Sequence, residues 1–290
     1  RFHYTMLPMW DEKTIRNLVH EVWPMAISGA LLMMVGRTNI LMLRWHLSDH
    51  EVGLFAAPMQ LVEALYIIPT VIMATALPIL SKSYIEGMES FKRTLIVVIK
   101  LMLVISASIA GIVSFHSQEI NHLLFGSSFE ESSKVMSIYI WTAVMVFGIS
   151  VIHSAVIAAG RQRWLMIIYA WHLIIILMLN SYLIPTFGIS GAASGFLSSY
   201  VLMFVTLLFI PKINYLGRIW FTSGFLPVIA ALLMGWGSSV LNLGLWISIA
   251  LIPAVLGGVL YYSGWVTRND INLLRKLLRL RNRSSVHNSS

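Results

Sequence analysis

The amino-acid sequence predicts an all-α, polytopic membrane protein with about eight transmembrane helices. Composition is the first reason: 58% of the residues are hydrophobic and 11% are charged, compared with about 45–50% and about 25% in soluble domains. The second reason is that the apolar residues form blocks of roughly twenty, the length at which a helix crosses about 30 Å of hydrocarbon. Lipid is therefore the expected solvent for most of the chain.

Eight apolar blocks are long enough to span a bilayer. They cover residues 22–46, 52–80, 94–115, 135–160, 164–184, 189–210, 219–241 and 245–266. We divide the chain into a cytoplasmic or interfacial N-terminal segment, a six-helix lobe, an additional helix pair and a basic amphipathic tail, at residues 1–21, 22–211, 212–266 and 267–290. Prolines inside the second, seventh and eighth blocks predict kinked or broken helices; they are Pro69, Pro78, Pro227 and Pro253.

The basic residues predict the orientation, because short cytoplasmic loops collect Lys and Arg. With a cytoplasmic N-terminus, Lys134 is the only basic residue in an outer loop, whereas the outer loops contain Asp49, Glu119 and Glu131. Both ends of the chain are then cytoplasmic. The formal charge of +8 reflects this topology and not nucleic-acid binding, since the cations lie between apolar blocks rather than on one soluble face.

The tail from Asp270 to Arg283 alternates leucines with basic residues. This pattern predicts an interfacial helix that lies on anionic lipid. Docking of a cytoplasmic partner is the alternative.

Ionisable residues within a span are candidates for function, because each costs about 2.5–3.5 kcal/mol on insertion scales. Arg37 and Arg44 are two turns apart on one face of the first span, and Arg44 is close enough to the outer end to reach the headgroups. Glu63 on the second span lies at a depth comparable with Arg37. The two are predicted either to form a structural ion pair or to build a gated substrate or proton site. Lys100 either reaches the inner interface or lines a cavity.

Three polar side chains within spans are weaker candidates, namely His153, His172 and Asn180. A single His or Asn in a span more often makes an interhelical hydrogen bond than it binds a ligand. Gly191 and Gly195 belong to a G-A-A-S-G run that predicts close packing of another helix.

Motifs typical of enzymes are missing from the sequence: there is no H-E-x-x-H, no G-x-S-x-G and no phosphate-binding P-loop. The absence of cysteine excludes disulfides and thiol chemistry. We therefore expect a protein that is not an enzyme and has neither a cofactor nor a metal site. An outer loop with His116, Glu119, His122, Glu130 and Glu131 is the nearest to an acid-base group, and we interpret it as a solvated loop.

Seven stretches, taken in order, resemble one family: the polysaccharide exporters, Wzx-type flippases of lipid-linked oligosaccharides in the multidrug/oligosaccharidyl-lipid/polysaccharide superfamily. They are G-R-T-N-I-L-M-L at 36–43, E-V-G-L-F-A-A-P at 51–58, L-V-E-A-L-Y-I-I-P at 61–69, A-L-P-I-L-S-K at 76–82, L-L-F-G at 123–126, A-A-G-R-Q-R at 158–163 and L-N-S-Y-L-I-P-T-F-G-I-S-G-A-A at 179–193. Because such flippases have two six-helix lobes, the chain resembles the C-terminal lobe plus two extra helices, without the N-terminal lobe. The start at Arg1 agrees with this expectation.

The resemblance implies a flippase that moves an undecaprenyl-pyrophosphate-linked oligosaccharide across the bacterial inner membrane by alternating access. It implies a cationic substrate cavity, in which Arg37 matches the family's arginine. From their positions in the spans we add Arg44, Asn39, Glu63 and Lys100 as candidate cavity residues. Coupling to a proton or sodium gradient and polysaccharide polymerase machinery as a partner are further expectations. Asn39 replaces the aspartate that relatives often have at this position, so a titratable carboxylate is missing there. The alternatives are a drug or cation antiporter of the same superfamily, which would place carboxylates in its cavity, and a membrane glycan polymerase or ligase, which would need acid-base residues in the outer loop.

Overall fold

The computed structural model describes residues 12–267 and Asp270. Within that part every regular element is a helix, and seven helical stretches are long and apolar enough to cross a membrane. The prediction of a polytopic all-α membrane protein is therefore confirmed. The α-helices are α1 Glu12–His46, α2 Asp49–Ala64, α3 Ile67–Glu86, α4 Met88–Phe115, α5 Ser117–Phe125, α6 Ser132–Tyr139, α7 Trp141–Ala158, α8 Arg163–Leu207, α9 Asn214–Val240 and α10 Leu245–Tyr262.

One of these stretches, α8, supplies two of the predicted spans. Its 45 residues would extend far beyond a bilayer if they were straight. The backbone of Gly188 leaves the helical region with φ 59° and ψ −136°, a conformation that glycine adopts without steric cost. The chain reverses there, since His172 in the first half lies 3.0 Å from the hydroxyl of Ser199 in the second half. The described residues thus make eight crossings, as predicted.

Two other spans are interrupted near their middle. The second span is divided into α2 and α3 at Leu65 and Tyr66, and the fourth into α6 and α7 at Ile140. Pro69 explains the first break, because it has no N–H to donate to the Leu65 carbonyl and its ring crowds that oxygen. Helices α3, α9 and α10 continue past Pro78, Pro227 and Pro253, so the chain is not broken at these three prolines and a kink is what remains of the prediction there.

The centre of the structure is formed by α4 and by the span of α6 and α7, which are the most buried crossings. Helix α9 joins this core at its beginning, where Trp220 stacks on Phe204 and lies directly against Gly148. The second half of α9 packs with α10 in a smaller apolar cluster around Leu256 and Leu260. The additional helix pair therefore sits on the surface of the lobe, mainly against α4.

Two predicted segments fall partly or wholly outside the described residues. Helix α1 begins at Glu12, inside the predicted N-terminal segment. Of the basic tail, the structure describes only Thr267 and Asp270. The predicted interfacial helix from Asp270 to Arg283 thus lies outside the described residues except for its first member.

Candidate functional site: a cavity beside a paired helix break

A cavity of about 600 Å³ opens between α1, α2, α3, α7 and α8. Most of its wall is apolar, with Leu32 and Gly36 contributed by α1. Among the described residues, Glu63 is the only charged side chain that lines it. The other polar lining residues are hydroxyl-bearing or imidazole side chains: Tyr66, Thr70, Ser150, His153, Ser154, Tyr169 and Tyr200.

The cavity wall includes the break between α2 and α3. Here the backbone follows the tighter i to i−3 pattern, because Leu65 donates to Val62 at 3.1 Å and Tyr66 donates to Glu63 at 3.0 Å. Beyond the break, the bond from Thr70 to the Tyr66 carbonyl is long, at 3.4 Å. Glu63 therefore lies in the last turn of α2, and its carbonyl accepts the hydrogen bond from the Tyr66 N–H at the break.

A side-chain bond connects the two interrupted spans. The hydroxyl of Thr142, just after the interruption at Ile140, donates to the Tyr139 carbonyl at 2.6 Å. Since this hydroxyl proton is used, the Tyr66 hydroxyl donates to Thr142 across the 3.3 Å between their oxygens. By helix rise, Glu63 is about 21 Å from the start of α2 at Asp49, and Thr142 is about 15 Å from the start of α6 at Ser132. The breaks thus lie side by side near the middle of the bilayer.

Aromatic and imidazole side chains fill the wall behind Glu63. His153 and the Tyr169 hydroxyl are 2.8 Å apart and connect α7 to α8. Tyr139 stacks on Phe196, which meets Tyr200 edge to face. These contacts connect α6, α7 and α8, and Tyr169, Phe196 and Tyr200 line the cavity.

Arg37 lies beside the cavity but does not line it. Its neighbour Gly36 forms part of the wall, whereas the Arg37 side chain is exposed on the outer face of α1. Arg37 attracts Glu63 electrostatically, and among the described residues it makes no ion pair within 4 Å. The two side chains are thus close, as their depths predict, without the structural ion pair that was the alternative interpretation.

The other two predicted site residues on α1, Arg44 and Asn39, lie on different faces of the helix. Arg44 is exposed on the same face as Arg37. Asn39 is buried and accepts a 2.6 Å hydrogen bond from the Asn180 amide on α8. Asn39 therefore faces the helix packing and lies outside the cavity wall.

Lys100 on α4 is held away from the cavity by the segment that follows α10. Its ammonium group lies 3.0 Å from the Asp270 carboxylate, donates to the Trp265 carbonyl and is 5.1 Å from the centre of the Trp265 ring. Hydrogen bonds from Thr267 and Lys100 outweigh burial and hold the pKa of Asp270 below its usual range. The structure thus separates Lys100 from Arg37 and Glu63.

Three polar side chains predicted to make interhelical hydrogen bonds do so in the structure. They are His153 with Tyr169, His172 with Ser199, and Asn180 with Asn39. Gly195 packs directly against the Asn180 side chain, and Gly191 against the Leu183 carbonyl. The prediction of close packing at this run is confirmed.

The outer loop is more ordered than a solvated loop. His116 is buried and lies 2.8 Å from the Ser248 hydroxyl, which fixes α10 to the end of α4. Glu119 is 3.6 Å from the His116 ring but mostly exposed, and His122 and Glu130 are exposed. His116 therefore has a structural contact, and the remaining groups do not converge on one point.

The tyrosines of the cavity wall were not identified from the sequence. A tyrosine inside an apolar block is typical of helix packing, and no spacing distinguishes Tyr66 or Tyr200 from packing residues. The sequence did contain one signal for this site, which is Pro69. A proline predicts a helix break, and the backbone groups left unbonded inside the membrane must be satisfied by protein or by water in a cavity. Tyr66 is three residues before Pro69.

Residues 1–134 match a family model described as "Polysaccharide biosynthesis protein". The matched part includes Arg37, Glu63 and Lys100. The match supports a relationship to the polysaccharide export family in general, and it fits a role in polysaccharide biosynthesis or export. Comparison with curated proteins and with solved structures found no match.

Proposed function

We propose that this chain is the C-terminal lobe, with an added helix pair, of a flippase for undecaprenyl-pyrophosphate-linked oligosaccharides, such as the repeat unit of O-antigen or another surface polysaccharide. The observation that carries this proposal is the position of Arg37. It lies in the middle of a span, on an exposed face, and has no ion pair or hydrogen bond with any residue that the structure describes.

An arginine in that position is unfavourable if the face meets hydrocarbon. The free energy is lowered if the face borders water or another helical lobe. A guanidinium group there offers bidentate hydrogen bonds to a phosphate or diphosphate, and these are strong where water is scarce. Arg37 and Arg44 on one face would provide two such positions along the path of a lipid headgroup.

The charge distribution supports the orientation. Basic residues such as Lys82, Lys92, Arg161 and Lys212 lie at the end of the lobe where α3 meets α4. We assign this end and both termini to the cytoplasm of a bacterium, and the end with Asp49 to the outer side of the inner membrane. A second lobe upstream of residue 1 would close the Arg37 face.

The test is translocation of the lipid-linked oligosaccharide by the complete two-lobe protein in proteoliposomes. We expect Arg37→Ala to lose most activity at normal abundance, and Arg37→Lys to retain part of it, because it keeps the charge but not the bidentate geometry. Lys134→Ala, which removes one exposed charge outside the membrane, is the matched control. Normal translocation by Arg37→Ala would refute the proposal.

A cation antiporter is the second candidate, favoured by the single carboxylate and the aromatic rings of the cavity. Aromatic faces and a carboxylate attract an organic cation rather than a diphosphate. Transport of tetraphenylphosphonium that is lost in Glu63→Gln and unaffected in Arg37→Ala would favour this candidate over the flippase.

A further inference from the structure

We infer that Glu63 is the proton-binding group of this lobe, and that its protonation changes the angle at the paired helix break formed by Leu65, Tyr66 and Ile140. This inference deepens the proposed function, because it assigns the coupling ion and the moving part. It rests on the position of Glu63 in the last turn of α2, on the cavity wall and next to the break.

Glu63 is the only carboxylate of the described spans that lines a cavity without an ion pair. Asp270, just after α10, is paired with Lys100 at 3.0 Å, and Asn39 supplies no titratable group on α1. His153 on the same cavity wall is engaged with the Tyr169 hydroxyl at 2.8 Å. Among the described residues of the cavity wall, Glu63 is therefore the titratable carboxylate without a hydrogen-bonded partner.

The surroundings of Glu63 give the two protonation states different preferred positions. Four ionisable side chains interact with it electrostatically: Arg37 from α1, Tyr66 at the break, Tyr139 from α6 and Tyr200 from α8. Two more, His153 of α7 and Tyr169 of α8, line the same cavity and are hydrogen-bonded to each other. Tyrosines are neutral at ordinary pH, so Arg37 provides the only attraction between charges. Ionised Glu63 favours the Arg37 side and its water. Neutral Glu63 loses that attraction and enters the apolar cavity at much lower cost.

The break converts this local shift into a change of helix direction. Helix α2 ends one residue after Glu63, and the tight i to i−3 bonds there involve the Glu63 carbonyl. On the α3 side of the break, Pro69 has no N–H, so the Leu65 carbonyl lacks its regular i to i−4 donor. The Tyr66 to Thr142 hydrogen bond transmits a rotation of this segment to the second break at Ile140. Helix breaks of this kind are where transporters place their ion sites and their bending points.

A proton is favoured over a sodium ion by the available ligands. Na⁺ needs several converging oxygen atoms, whereas the oxygens near Glu63 belong to tyrosine, serine and threonine side chains spread around a 600 Å³ space. A proton requires only the carboxylate.

The first experiment is an infrared pH titration of the complete protein in lipid bilayers, which follows the C=O stretch of protonated carboxylic acids. Glu63→Gln should remove one titrating band, while Glu130→Gln, which changes an exposed outer carboxylate, should leave that band unchanged. A titration that is the same in Glu63→Gln and wild type would overturn the inference. The measurement needs no oligosaccharide, so it is independent of the proposed flippase activity.

The second experiment measures the break itself. The chain contains no cysteine, so spin labels can be placed at His50→Cys and Ile85→Cys, exposed positions at the far ends of α2 and α3. We expect the label distance to change between acidic and alkaline pH in the wild type, and to stay at its acidic value in Glu63→Gln. A pH-dependent distance in Glu63→Gln, or a distance that follows Na⁺ at constant pH, would contradict the proton assignment.

Discussion

Two faces of the protein both carry strongly exposed apolar side chains but differ in charge. On α1, Met33 is 76% exposed and Leu41 is also exposed, but Arg37 lies between them. On α9 and α10, Phe225 is 72% exposed and residues 219–262 contain no charged side chain at all. Met33 and Phe225 are thus exposed to nearly the same extent on two faces that should have different surroundings. Charge at mid-depth, and not exposure, distinguishes a face next to water or protein from a face in lipid.

The largest expected effect comes from placing an arginine on each face. Phe225→Arg should lose most of its membrane-inserted protein, since a charge near the centre of a lipid-facing helix costs about 2.5–3.5 kcal/mol. Met33→Arg, one turn from Arg37, should remain near wild-type abundance. Protein in the membrane fraction is the measurement, with Phe225→Leu and Met33→Leu as size controls. Equal losses in both arginine variants would remove the distinction between the two faces.

A smaller effect concerns Lys100, which pairs with Asp270 at 3.0 Å. Lys100→Met leaves Asp270 with its burial and without its counter-charge, so we expect a loss of about 1–3 kcal/mol in stability. The double variant Lys100→Met with Asp270→Asn should recover part of it. Thermal unfolding in detergent checks both, and an unchanged melting temperature in Lys100→Met would show that the ion pair does not stabilise the protein.

The buried side of α1 should behave differently from its exposed side. Asn39→Leu leaves the Asn180 amide without its partner, and we expect it to cost about 1–2 kcal/mol in stability. Arg37→Ala should leave stability unchanged and reduce transport. The melting temperatures of the two variants are to be compared at equal detergent concentration. The division of α1 into a packing side and a transport side is wrong if Arg37→Ala is the less stable of the two.

The smallest effect is expected in the outer loop. Glu119→Gln with His122→Ala should leave stability within about 0.5 kcal/mol of the wild type, because both side chains are exposed. Translocation should also be unchanged. His116 is kept in this test, since its contact with Ser248 is structural. Loss of glycan transfer in the double variant would favour the polymerase or ligase interpretation.

The two faces also show which features of the fold and of the candidate site can be predicted from the sequence. Span positions follow from hydropathy, and the first predicted span ends where α1 ends, at His46. The depths of Arg37 and Glu63 follow from helix rise, which is a local property. The direction of a side chain around its helix depends on which neighbours pack there, so hydropathy could not show that Arg37 is outside the cavity and Glu63 is inside it.

Contacts between residues far apart in the chain were the second feature that the sequence could not predict. Asp270 is 170 residues from Lys100 along the chain, and no local spacing relates them. Pro69 predicted a break in the second span, but the matching interruption at Ile140 has no proline or glycine beside it. It is recognised only through the Thr142 hydroxyl, which bonds to the Tyr139 carbonyl.

The central claim is that the Arg37 face borders a water-filled path for a phosphate-bearing lipid, and labelling of single cysteines tests it most directly. The complete protein, with any cysteine outside these 290 residues replaced and Met33→Cys or Leu41→Cys introduced, should react with a charged, membrane-impermeant thiol reagent, and a polyprenyl diphosphate should slow the reaction. Phe225→Cys should not react. If Met33→Cys and Leu41→Cys are as unreactive as Phe225→Cys, the Arg37 face lies in lipid and the proposed path is wrong.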